Sequence, residues 1–276
     1  MSALNSLLRM LFDGVTYPLR GFPAIVGVAL LSLITAIGML LVFRHASNQE
    51  KMVEVKSRIH ACIFEIRLFN DDLRAILRAQ AEILRHNGTY IGLTIKPMLV
   101  MIVPIVLLIA QMQFHYGYSG LEPGKDTVLT VFFKEDVGSG SEKPTVTVEA
   151  PAGLVVETHS VWIPANHEMS WRVGAEKFGE YELKIELGGD VYTKSVLVSD
   201  AMARRSPNRL APGFFNQLLY PAEDPLPKSS PIQSIELDYP DEEVDLFGLS
   251  LHWLIWFFVL SIAFAFSLRR VFGVTI

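Results

Sequence analysis

The sequence predicts an α-helical membrane protein with three transmembrane helices and a cytoplasmic helical hairpin, carrying a small extracytoplasmic β-sandwich. Three observations lead there. The chain is half hydrophobic and only 19% charged, below the roughly 25% of ordinary soluble domains. The apolar excess is concentrated in three runs, 22–43, 97–114 and 249–268, none of which contains Lys, Arg, Asp or Glu. Between the second and third runs, short segments alternate apolar and polar residues, the period of a half-buried strand.

Residues 1–21 come first. Leu4, Leu7, Leu8, Leu11, Phe12 and Val15 recur at helical spacing, with Arg9 and Asp13 on another side. Such a helix is expected to lie flat on the outer membrane surface. The run 22–43 matches the ~20 residues that cross ~30 Å of hydrocarbon. A signal peptide has an apolar core of only about 7–15 residues, and "VFRHASNQEK" is a poor cleavage site, so this run reads as a retained span. A second span is expected over 93–114 and a third over 249–268, followed by a tail, 269–276.

Charge sets the expected orientation, because Lys and Arg stay in short cytoplasmic loops. Residues 44–96 hold nine basic and six acidic residues, and Arg269 and Arg270 follow the third run. Residues 115–247 hold 11 basic and 22 acidic residues. The N-terminus is therefore expected outside, 44–92 in the cytoplasm, 115–248 outside and the C-terminus inside. The single cysteine, Cys62, forbids an intrachain disulfide. An outer domain without cysteines fits a bacterial inner membrane better than a disulfide-dense secreted module.

In 44–92, Met52, Val55, Ile59, Cys62 with Ile63, Ile66 and Phe69 follow a three-four spacing, as do Leu73, Ile76 with Leu77, and Ile83 with Leu84. Between the two sets stands "FNDDL", in which Asn70 and Asp71 favour helix N-caps over helix interiors. This predicts two antiparallel helices joined near Asn70–Asp72. The competing reading is one long helix that returns through a loop at "HNGTY".

Outside, "DTVLTVFF", "PTVTVEA", "LVVETHSVWI", "EMSWRVG", "EYELKIEL" and "DVYTKSVLV" read as strands within 115–200, the last two joined by a turn at Gly188 and Gly189. Six or seven short strands argue an immunoglobulin-like sandwich in outline, without the Cys–Trp–Cys pattern of antibody domains. Residues 201–248 are Pro-rich and read as a linker, or as a loop packed on the sandwich. Phe214, Phe215, Leu218, Leu219 and Tyr220 form a possible second surface helix there.

Inside the apolar runs a few residues could line a hydrated groove: Pro104, Gln111, Gln113, Ser32, Thr35 and Ser261. Pro104 is expected to kink its span, while Pro97 fits a helix start. The glutamines fit equally a headgroup position with water as partner. His252, Trp253 and Trp256 open the third run, where Trp favours the interface. His60, Cys62 and His86 do not have the spacing of a zinc site. There is no Gly-rich phosphate loop and no nucleophile elbow, so neither an enzyme nor a cofactor or metal site is expected.

The layout of outer amphipathic helix, span, cytoplasmic hairpin, span, outer segment and span resembles the YidC/Oxa insertase superfamily. "LLRMLFDGVTYPLRG" looks like its amphipathic entry helix, with an aromatic–Pro pair before the first span. "NQEKMVEVKSRI" sits where the family begins its basic coiled-coil hairpin, and "KPMLVMIVPIVLLIAQMQF" looks like its second core span. The resemblance covers 1–118 and, more weakly, 245–276. It implies a membrane-protein insertase or chaperone that takes nascent apolar helices into a groove between the three spans. Arg58, Arg67, Arg74, Arg78 and Arg85 would meet a ribosome, a targeting factor or lipid headgroups, without sequence-specific nucleic-acid recognition. Many insertases of the family carry a positive charge in the groove; here no span contains a charge. That departure and the large outer segment favour the alternative, a structural subunit of an envelope complex that binds other membrane subunits through the hairpin or the sandwich.

Overall fold

A computed structural model describes residues 2–135, 137 and 143–274; the side chain of Leu4 lies outside the described ones. The chain divides into two compact units. One comprises Met1–Val28 and Leu107–Trp256, the other Ala29–Val106 and Phe257–Ile276.

Among the described residues, two helices are long and apolar enough to cross a membrane by length and composition, α2 (Ala24–Ala46, 23 residues) and α4 (Leu73–Tyr116, 44 residues). In α2 the residues Leu31, Ser32, Thr35, Ala36 and Leu40 are buried, a stripe at helical spacing. Helix α3 (Gln49–Leu68) follows α2, and the chain turns at Phe69–Asp72. Two residues 20 apart in one continuous helix would be about 30 Å apart. Cys62 Sγ lies 3.8 Å from Glu82 Oε2, so α3 and α4 fold back on each other as an antiparallel hairpin.

The hairpin has no loop at "HNGTY". Helix α4 continues through Gly88, Gly92, Pro97 and Pro104 into the apolar run, so no break separates 44–92 from 93–114. A helical Gly costs only about 1 kcal/mol relative to Ala, too little to end a helix of this length. Pro97 lies inside the helix rather than at its start.

The third apolar run behaves differently from expectation. Its helix, α6, covers Trp253–Leu268 and is 16 residues long, about 24 Å at 1.5 Å per residue. The first four residues of the run instead form a strand. Phe247 (φ 56°) and Gly248 (φ 80°) make a tight turn that folds Glu243–Leu246 against Leu249–His252. His252 then accepts a hydrogen bond from the Leu254 N–H at 3.3 Å through Nδ1, capping α6.

The first unit holds α1 (Ser2–Thr16), a 3₁₀ turn (Tyr17–Leu19) and the β-domain. All six expected strand segments form strands, "LVVETHSVWI" dividing into two, so that there are seven: β1 (Asp126–Phe133), β2 (Val146–Glu149), β3 (Leu154–Val156), β4 (Val161–Ile163), β5 (Glu168–Ala175), β6 (Gly179–Leu187) and β7 (Asp190–Val198). They pair antiparallel in two sheets. One has the order β3-β5-β1 and continues through β9 (Ile232–Leu237) to β8 (Asn208–Leu210), with β4 added to β5. The other is β2-β6-β7. Leu129, Val131, Trp171 and Val173 from the first sheet share one core with Leu183, Ile185, Val196 and Val198 from the second.

The Pro-rich segment 201–248 is therefore no linker. It contributes β8, a short helix α5 (Phe214–Leu219), β9, and the hairpin strands β10 (Glu243–Leu246) and β11 (Leu249–His252). Ile232, Ile235, Leu237, Leu226 and Tyr239 join the core. Prolines at 221, 225, 227, 231 and 240 lie outside the strands, where their missing N–H breaks no ladder. They hid β9 from a reading by composition.

Candidate functional site

The hairpin seam keeps part of the three-four rhythm: Ile63, Phe69, Leu73, Leu77 and Leu84, also expected in the stripes, are exposed. Met52, Val55, Ile59, Cys62 and Ile66 on α3, and Ile76, Ala79, Ile83, His86, Tyr90, Leu93 and Pro97 on α4, are buried or half-buried. Steps of three and four keep one stripe facing the partner helix, the seam of a coiled coil. Both arms are capped: Asn48 Oδ1 accepts from Lys51 N–H at 3.0 Å, and Asp72 Oδ1 accepts from the N–H groups of Arg74 and Ala75 at 2.9 and 3.2 Å. These caps satisfy donors that a helix start leaves orphaned.

Arg58, Arg67, Arg74, Arg78 and Arg85 are all exposed on the two arms. Arg58 pairs with Glu54 at 2.6 Å and Arg78 approaches Glu82 at 4.0 Å, both one helical turn apart. Pairs this exposed are worth little and leave the guanidinium groups free to exchange partners. Among the described residues, ligand atoms of Cys62, Glu65 and Glu82 lie within 4.8 Å of one another, a set that could hold a metal ion. Burial and then the two carboxylates push the Cys62 thiol up from its ordinary value.

The expected groove residues divide. Ser32 donates to Phe257 O at 3.3 Å and Thr35 to Leu31 O at 2.7 Å; both are buried, and both hydroxyls are spent on backbone. Ser261 Oγ is buried without a partner among the described residues. Pro104 is exposed on α4, among Met98, Leu99, Val100, Ile102 and Val103, which are also exposed. Gln111 is buried, and its carbonyl contacts His115 Nδ1 at 3.1 Å. Gln113 Oε1 accepts from Trp253 Nε1–H at 3.0 Å, so the amide is bound by protein. Trp253 itself is fully buried, and Trp256 donates to Val244 O at 2.9 Å.

One polar cluster was not foreseen as a site. Asp13 Oδ1 is 3.1 Å from His115 Nε2 and accepts from Arg204 at 2.8 Å. Arg204 also donates to Arg9 O at 3.0 Å, and Arg9 pairs with Asp224 at 2.5 Å. Burial would raise the Asp13 carboxyl, but the His115 contact and Arg204 hold it below its ordinary value. Burial draws Arg204 down to about 10, still charged at neutral pH. The partners stand 102 and 191 residues apart in the chain; the one local hint was the position of Arg9 and Asp13 off the apolar side of the first helix.

A second ionic group lies inside the β-domain. Lys194 is fully buried and donates to Glu223 at 2.7 Å and to Ser206 Oγ at 3.2 Å. Glu223 also accepts from Ser206 Oγ at 2.8 Å and from Ser195 N–H at 3.0 Å. A hydroxyl beside a lysine is a known nucleophile–base pairing. Here the carboxylate takes the proton-donating capacity of both groups, so the arrangement is a closed ionic tie between β7 and the segment that carries Glu223.

No family model matches the chain, nor does any curated protein or solved structure.

Proposed function

We propose that this chain is a multi-pass protein of a bacterial inner membrane that acts as an insertase or chaperone of the YidC/Oxa type. In this reading α2, α4 and α6 span the bilayer, the hairpin lies in the cytoplasm, and the β-domain lies outside. The observation that carries it is the hairpin: a capped, antiparallel, arginine-studded pair of helices whose second arm runs without interruption into an apolar helix. Such a structure receives something on the cytoplasmic side and leads it to the bilayer. A nascent apolar helix moves along the exposed apolar stretch of α4 and gains enough from hydrocarbon to need no cofactor. The basic outer faces attract ribosomal RNA, anionic lipid or an acidic factor without reading sequence.

Two observations favour the second reading, a non-catalytic subunit of an envelope complex. The hydroxyls of Ser32 and Thr35 are buried and already bonded, and no apolar run carries a charge. The two readings separate on co-purification. The wild-type chain is expected to capture ribosomes or crosslinked nascent chains at low salt, and Arg74→Glu with Arg78→Glu to lose that capture while remaining folded. Screening makes the same capture fall with added salt. A wild type that captures neither gives first place to the subunit reading.

A further inference from the structure

Helix α1 is built inside out for a helix on a soluble domain. Its polar side faces protein: Asn5 donates to Gln217 O at 2.5 Å, Arg9 reaches Asp224, and Asp13 is held by Arg204. Its other side presents Leu7, Met10 and Leu11, each more than half exposed, together with Val15. Helix α5, which Asn5 touches, repeats the pattern. Phe214 and Phe215 are 61% and 70% exposed and stack edge to face at 5.3 Å, while Asn216 is turned inward to Ala211 O at 3.0 Å. An exposed apolar patch of this extent marks an interaction surface.

We infer that α5 and α1 form one lipid-facing platform that seats the β-domain on the bilayer surface; this rests on the membrane reading above. Two features select lipid over a protein partner. The chain leaves α1 through the 3₁₀ turn Tyr17–Leu19 for α2, the 23-residue apolar helix, so the apolar side of α1 continues into a segment long and apolar enough to cross a bilayer. At that junction Arg20 lies over the Tyr17 ring at 5.1 Å, both exposed, the basic–aromatic pairing that suits headgroup depth. The Arg9–Asp224 and Asp13–Arg204 pairs are then clamps that keep the apolar sides of α1 and of the β-domain's own helix turned the same way.

The test is spin-label accessibility on the full chain, in nanodiscs of phosphatidylethanolamine and phosphatidylglycerol, in a Cys62→Ser background. Labels go on Met10→Cys and Phe215→Cys, with Ile34→Cys on α2 and Glu186→Cys on β6 as references. The expected result is an oxygen-to-nickel-chelate accessibility ratio several-fold higher at 10 and 215 than at 186, and lower than at 34. A ratio at 215 equal to that at 186, with 34 lipid-like, overturns the platform and leaves the membrane reading intact. Shielding of 10 and 215 from both reagents also overturns it, in favour of a protein partner or a second copy. A water-like ratio at 34 sinks the membrane reading itself.

Discussion

Single residues carry more of this fold than their types announce. Glu223 is the clearest case. Burial alone would raise its carboxyl, but Lys194, Ser206 and the Ser195 N–H together hold it below the ordinary carboxylate range. A carboxylate depressed in the folded state stabilises the fold above its unfolded value near ~4.3, and that contribution is lost as pH falls through the lower folded value. Glu223→Gln should therefore flatten the acid limb of the β-domain's stability profile. At neutral pH it should cost about 3–5 kcal/mol, because Lys194 is left buried and unpaired. Thermal unfolding of wild type and variant between pH 3 and 7, roughly the carboxylate titration range, checks both. Gly27 is a second case. A Cβ there would fall well inside van der Waals contact of the buried Tyr116 hydroxyl. Gly27→Ala should destabilise by about 1–3 kcal/mol, the usual effect of overpacking. Adding Tyr116→Phe should recover part of it, since that hydroxyl has no hydrogen-bond partner among the described residues; a double-mutant cycle in detergent measures the coupling. Neither Glu223 nor Gly27 stands out in the sequence. Glu223 lies 29 residues from Lys194, and such pairing appears only once a strand and a Pro-rich segment have been folded together.

At the scale of elements, periodicity was the reliable signal and composition the unreliable one. The three-four rhythm from Met52 to Ile66 announced the hairpin and the stretch Asn70–Asp72 located its turn, but the cap is Asp72 rather than Asn70 or Asp71. The alternation in "EYELKIEL" announced β6, whose Leu183 and Ile185 are fully buried. Composition misled twice. The apolar run 249–268 concealed a turn at Phe247–Gly248 that takes its first four residues into β11. The prolines around β9 concealed a strand that lies between β1 and β8. The hairpin account predicts a specific failure. Ala79 is fully buried in the seam, and Ala79→Asp would place an unpaired carboxylate there at a cost of several kcal/mol. Limited proteolysis should then cut new sites within 46–86 while the β-domain remains intact. An unchanged digestion pattern would contradict the antiparallel seam.

For the whole molecule, the sequence separates basic from acidic segments: 44–96 carries nine basic residues against six acidic, and 115–247 carries 11 against 22. That asymmetry, with two helices apolar enough to cross a bilayer, is what the proposed orientation rests on. It was legible from the residues alone. The cluster of Asp13, His115, Arg204 and Asp224 was not, because its members are drawn from distant parts of the chain. The proposed insertase activity is tested most directly by reconstitution. Purified chain in liposomes of stated lipid composition is offered a ribosome-released, single-span membrane protein, and the protease-protected fraction is measured. The account predicts more protection with the wild-type chain than with empty liposomes, and a loss of that gain with Arg74→Glu and Arg78→Glu. Equal protection in wild-type and empty liposomes would contradict it.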